Sequence, residues 1–207
     1  MGKIDYFSNR GIDTNLAEKT IQGGVFTIVT QAVLLVLNLV SLAILARFLT
    51  PEAFGIVAMV TAFTNLAGLF SDMGLSTATI QSKSINKNEI SALFWLNLLI
   101  GILIVACLFL ISDAIVYFYN EPRLKEIVIL LSLGFLFSSL SIQHEALLRR
   151  HLLLVRVNVV HLLSTLFGVF VGVSLAMSGW DYWALVWMTI SALFFRMLGM
   201  WLACQWI

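Results

Sequence analysis

ARFLTPEAFGIVAMV, residues 46–60, sets an arginine, a Thr-Pro-Glu turn and a glycine inside one of the most apolar parts of the chain. Arg47 falls where a cation suits the negative end of a helix dipole and can reach an aqueous interface. Thr50 is a good N-cap, Pro51 fits the first helical position, and Glu52 suits the positive start of a second helix. The stretch reads as a tight hairpin between two apolar helices. Whether those helices cross a bilayer depends on the rest of the chain.

The 207 residues are 60% hydrophobic and 11% charged, with a mean hydropathy of +0.99, where soluble domains carry about 25% charged residues. A membrane span takes roughly 20 mostly apolar residues, and six windows qualify: 23–46, 54–70, 90–112, 127–142, 157–176 and 182–207. The second and fourth are short and are expected to extend into the polar residues that follow. The apolar runs are continuous rather than alternating, which favours helices over a barrel. The expected fold is all-α: a polytopic membrane protein with six transmembrane helices over residues 23–207, preceded by a polar tail, residues 1–22.

Basic residues in short loops set orientation. Lys3, Arg10 and Lys19 precede the first span, Lys83 and Lys87 follow the second, and Arg149, Arg150 and Arg156 follow the fourth. The other side has Arg47, Arg123 and Lys125. Eight against three puts both termini in the cytoplasm. The tail lacks the basic region and cleavage site of a secretory signal, so the first helix is expected to remain as an anchor. A net charge of +1 gives no reason to expect a nucleic-acid partner.

Catalytic and metal-binding patterns are poor. His144-Glu145 followed by His151 is not HExxH, since the second histidine is too far along to share a zinc. Cys107 and Cys204 form neither a CxxC nor a ligand spacing. There is no GxSxG and no Walker loop. The acids Glu52, Asp72, Glu89, Asp113, Glu126 and Asp181 sit at span ends, where carboxylates cap helices or face water. No enzyme chemistry, metal or cofactor is expected.

The polar residues inside the spans are more informative. Thr27, Gln31, Asn38 and Ser41 share one helical face, as do Thr61, Asn65, Gly68 and Asp72. Asn97 lies near the middle of the third span, and Asn158, His161, Thr165, Gly168 and Gly172 run along one side of the fifth. Amides facing lipid are costly, so each points to a neighbouring helix or to a wet cavity. Ser164, Gly168, Gly172 and Ala176 form a small-residue ladder suited to close helix packing. Arg196 stands among apolar residues in the last span, where a guanidinium must face a bundle interior or pore, or snorkel to a helix end.

The runs LAEKTIQGGVF, LARFLTPEAFGIVAM, FSDMGLSTATIQSK, LFWLN and EALLRRHLLLVRVN, in that order, resemble the N-terminal half of bacterial polysaccharide flippases of the O-antigen or colanic-acid type. These belong to the multidrug/oligosaccharidyl-lipid/polysaccharide flippase superfamily. The resemblance covers residues 16 to about 205 and implies one N-terminal bundle of a two-bundle transporter in the bacterial inner membrane. Its cargo would be a polyprenyl-diphosphate-linked glycan in a cationic cavity. Cavity-lining candidates are then Asn38, Arg47, Asn65, Asp72, Gln81, Gln143 and Arg196, with Arg149 and Arg150 meeting the diphosphate at the cytoplasmic mouth.

Such flippases have about twice as many helices, so the resemblance implies a truncated or half transporter that pairs with a second copy or a C-terminal half. Alternatives are a multidrug-type exporter of the same superfamily, which would want membrane-embedded carboxylates, and a non-transporting membrane fragment. A membrane glycosyltransferase or acyltransferase would need clustered acids or histidines in a loop.

Overall fold

The computed structural model describes residues 16–72, 74–82 and 86–204, and the regular structure among them is helical. Lys3, Arg10, Lys83 and Ile207, used above for orientation and span limits, lie outside the described residues. The elements are α1 (Leu16–Phe48), α2 (Pro51–Gly68), α3 (Leu75–Gln81), α4 (Lys87–Tyr119), α5 (Leu124–Arg150), α6 (Leu154–Met177) and α7 (Tyr182–Ala203). Gly23–Phe48 of α1 and all of α4, α5, α6 and α7 are long and apolar enough to cross a membrane. The chain is thus an all-α, multi-pass membrane protein. Leu110, Tyr117 and Leu202 are 77%, 89% and 76% exposed, an arrangement that suits lipid and would be a liability in water.

The 46–60 hairpin forms as its residues dictate. α1 ends at Phe48 with Arg47 exposed in its last turn, and the Thr50 hydroxyl accepts from the Ala53 amide at 3.3 Å above a helix that begins at Pro51. Leu45, Leu49 and Ala53 then close a small core against Ala176, Ala184 and Leu185 at the turn between α6 and α7. α2 has 18 residues, about 27 Å at 1.5 Å per residue and just short of a ~30 Å hydrocarbon core.

α2 ends at Gly68 instead of extending past Phe70 and α7 ends at Ala203, whereas α1, α4, α5 and α6 outrun their apolar windows. α5 continues past Ile142 through QHEALLRR because Ala, Leu, Glu and Arg all favour helix, and it stops where Leu152 takes a positive φ of 54°. α4 begins at Lys87, where the Glu89 carboxylate accepts from the Asn86 amide at 2.9 Å, and ends at left-handed Asn120 just before Pro122. α3 was not anticipated from the apolar pattern. Asp72 starts it by accepting from the Ser76 amide at 2.9 Å and from the Ser76 hydroxyl.

In the packed bundle α6 lies along α7 and α1, α5 lies along α4 and α7, and α2 rests on α5 and α7. α1 and α2 meet at their hairpin but do not pack along one another. α6 and α7 approach closely, as the small-residue ladder predicts. A Cβ added at Gly168 would lie 2.7 Å from both the Ala192 Cβ and the Met188 carbonyl, and one at Gly172 would lie 2.8 Å from the Met188 Cβ. On the α4–α5 seam, Gly101 fits against Ser139 and the Phe135 carbonyl in the same way.

Candidate functional site

The antiparallel hairpins bring the C-terminal ends of α5 and α7 and the N-terminal end of α6 to one end of the bundle. Their shared core there is Leu147, Leu148, Val157 and Met200, joined by Ile90 and Phe94 of α4. Above this apolar floor sits a charged cluster. Arg196 is seven residues before the end of α7 at Ala203, about 10 Å along the axis. Its Nη2 donates to Glu145 Oε2 of α5 at 2.7 Å. One turn further along α5, Arg149 donates from Nε at 2.9 Å and from Nη2 at 2.8 Å to the other oxygen, Glu145 Oε1. His161 of α6 lies near enough to feel the charges of all three.

The arrangement is layered. The Glu145 side chain is 13% exposed, below an Arg196 side chain at 31% and an Arg149 side chain at 44%. Two guanidiniums over one carboxylate leave an excess charge of +1, with His161 not counted. Of the five N–H donors of Arg196, one is engaged among the described residues, and its Nε is buried without a partner. Such a group can receive an anion with several oxygens through charge-assisted, two-pronged hydrogen bonds.

Glu145 was missed in the sequence because the apolar window closes at Ile142, which left it looking like a loop residue. Glu145, not among the acids assigned to span ends, lies within α5 and pairs across to α7. Two signals pointed to it. Glu145 and Arg149 have the i,i+4 spacing of a helical ion pair, and an arginine inside a span requires a counter-ion.

The remaining candidates are spread through the bundle. Arg150 donates from Nη1 to the carbonyls of Thr79 at 3.0 Å and Ser82 at 2.5 Å, which ties down the C-terminal end of α3. Gln143 is fully buried and accepts from the Thr79 hydroxyl at 2.9 Å. Asp72 caps α3, and Gln81 is exposed at its last residue. Asn38 is exposed on α1, lining a shallow groove with Gln31, Leu35 and Leu42, and Asn65 is exposed on α2. Arg47, at the hairpin, lies toward the opposite end of the bundle from Arg196.

Several amides act as interhelical ties. Asn158 Nδ2 donates to the Thr27 hydroxyl at 2.8 Å, joining α6 to α1. Asn97 is fully buried on α4, with neither amide atom partnered among the described residues. The Gly101–Ser139 contact sets an antiparallel register that brings Asn97 opposite Gln143, one turn along each helix. At the far end, Arg123 binds Glu52 at 2.6 Å and Glu121 at 2.8 Å, linking the start of α2 to the α4–α5 turn. The hydrogen bond from Arg123 holds the Glu121 carboxyl below its ordinary range.

An all-helical bundle that turns charged side chains toward one another inside membrane-spanning segments defines the class: a multi-pass membrane protein with a cationic polar site. The family model of polysaccharide biosynthesis proteins matches residues 44–207, and the chain belongs to that family. It is 31% identical over 154 residues to the lipopolysaccharide biosynthesis protein WzxC of Escherichia coli strain K12, covering 74% of this chain and 31% of the relative. It is 26% identical over 138 residues to the teichuronic acid biosynthesis protein TuaB of Bacillus subtilis strain 168, covering 67% and 29%. It is 27% identical over 157 residues to the succinoglycan biosynthesis transport protein ExoT of Rhizobium meliloti strain 1021, covering 72% and 30%. The chain thus spans less than a third of the length of these relatives. No solved structure matches it.

Proposed function

We propose that this chain forms one wall of a transporter that flips a polyprenyl-diphosphate-linked glycan across the bacterial cytoplasmic membrane for cell-surface polysaccharide synthesis. The observation that carries the reading is the net-positive cluster of Arg149, Glu145 and Arg196 held within membrane-spanning helices. A membrane protein places guanidiniums there at a cost, and an anionic cargo supplies the reason. The six helices α1, α2, α4, α5, α6 and α7 act as a single rocking body. Alternating access requires a second such body, from another copy or from a C-terminal half. A multidrug exporter would want a carboxylate open to cations, whereas Glu145 is engaged by two arginines.

Both termini face the cytoplasm in this reading, supported by the eight-to-three distribution of basic residues. An impermeant thiol reagent added to intact cells should label a cysteine placed at Gly179 and leave one at Lys87 unlabelled. Labelling of Lys87 alone would invert the orientation.

The transport reading is tested in a host whose own lipid-linked glycan flippase has been deleted. The chain together with its second body should restore surface polysaccharide. The variant Arg149→Gln cancels the excess charge of the cluster while Arg196 continues to pair Glu145, so the protein should accumulate normally. Its export should fall about tenfold, since a charge-assisted hydrogen bond contributes roughly 1.5–3 kcal/mol. Normal export by Arg149→Gln would remove the cluster from the transport mechanism.

A further inference from the structure

We infer that Glu145 is an internal stand-in for the anionic ligand: it occupies the two guanidiniums when the site is empty and is displaced from them when a diphosphate group binds. This rests on the proposed function for the choice of ligand, but its geometry is independent of transport. One carboxylate is shared between Arg149 on Oε1 and Arg196 on Oε2, so each oxygen already sits where a phosphate oxygen would sit. The carboxylate is the deepest of the three groups and the guanidiniums form the rim, so an arriving anion meets the donors first.

The donor count agrees with this. Among the described residues Arg196 keeps unengaged N–H groups, including a buried Nε with no partner. The cluster is therefore underfilled by Glu145 alone. A diphosphate brings more oxygens and more charge than one carboxylate, and can outcompete it for both arginines. His161 of α6 also interacts electrostatically with Glu145, Arg149 and Arg196.

A stand-in anion has two consequences. It holds two like charges together in the empty site, where they would otherwise repel. It also sets a threshold, because a ligand must exceed the hold of the carboxylate before it is retained. Neutral sugars and single carboxylates fall below that threshold and a diphosphate passes it. Glu145 is thus a specificity-determining residue.

The experiment compares ligand binding by the purified full chain and its Glu145→Gln variant, in two arms. One arm titrates inorganic pyrophosphate in solution. The other uses nanodiscs of neutral lipid doped with a polyprenyl diphosphate. Glutamine keeps the shape and the hydrogen-bonding oxygen and removes the competing charge, so binding should tighten about tenfold or more. A gain in both arms means that the diphosphate group suffices. A gain in the nanodisc arm alone assigns the site to the anchored lipid, and the inference stands.

Equal or weaker binding by Glu145→Gln in both arms would overturn it, since freeing both guanidiniums and raising the cluster's excess charge to +2 must favour an anion that takes the place of the carboxylate. Glu145→Asp keeps the charge and shortens the reach, and serves if the glutamine variant does not fold. A stand-in held less firmly should bind pyrophosphate more tightly than the parent, and a positioning group less tightly. A tightened Glu145→Gln in a transporter that moves no glycan would count against the proposed function and leave this inference in place.

Discussion

Gly168→Leu is expected to prevent α6 and α7 from packing, with a loss of stability above about 3 kcal/mol, beyond the 1–3 kcal/mol typical of overpacking. The reason is what a side chain would meet. A Cβ alone falls 2.7 Å from the Met188 carbonyl, a backbone atom that cannot turn aside, and 2.7 Å from the Ala192 Cβ. In lipid no hydrophobic drive holds helices together, so their association depends on close van der Waals approach. A leucine forces α7 away along its length and withdraws Arg196 from Glu145. Gly168→Ala should cost roughly 1–3 kcal/mol by the same contact. Gly55, whose Cβ would meet nothing within 4 Å, provides the control: Gly55→Ala should change stability by less than about 0.5 kcal/mol. Urea unfolding in detergent micelles reports all three. A Gly168→Leu protein that unfolds at the parent's urea midpoint would show that the α6–α7 contact does not hold the bundle together.

That contact was legible in the sequence because it depends on one short-range pattern. Ser164, Gly168, Gly172 and Ala176 recur every four residues, and all four are buried on α6. The hairpin at Thr50 and Pro51 was legible for the same reason, since a cap and a first-turn proline act within one turn. α3 was not, because little in LSTATIQ favours a helix. Its ends are held by Asp72 and by Arg150, the latter more than 65 residues away in the chain.

The site divides along the same line. Arg196 announces itself by the cost of a charge in an apolar run. Its partner Glu145 does not, because a hydropathy window ends where polar residues begin, while the helix continues as long as backbone propensity allows. Gln143 and Arg150, candidate ligand contacts by the family resemblance, are both engaged with α3. Residue type alone cannot separate an amide that binds a ligand from one that binds the next helix.

The sharing of Glu145 by two arginines makes the cluster asymmetric, and mutations should expose that asymmetry. Glu145→Leu strands both guanidiniums. Arg149, 44% exposed, can turn outward, but Arg196, 31% exposed with a buried Nε, cannot do so freely. Removing one partner of a buried pair costs about 3–5 kcal/mol, and partial exposure lowers the expectation here to about 2–3 kcal/mol. Arg196→Leu should cost only about 1 kcal/mol, because Arg149 still neutralises Glu145. The double variant Glu145→Leu/Arg196→Leu should regain most of what Glu145→Leu loses, since an apolar pair in place of an ionic one is often neutral or stabilising. A double-mutant cycle on urea midpoints measures this coupling, expected at about 2–3 kcal/mol. Simple additivity would mean that Arg196 draws nothing from Glu145. A recovered, well-folded double variant that exports no glycan would show the ion pair to be retained for its charges, at the expense of the stability an apolar replacement provides.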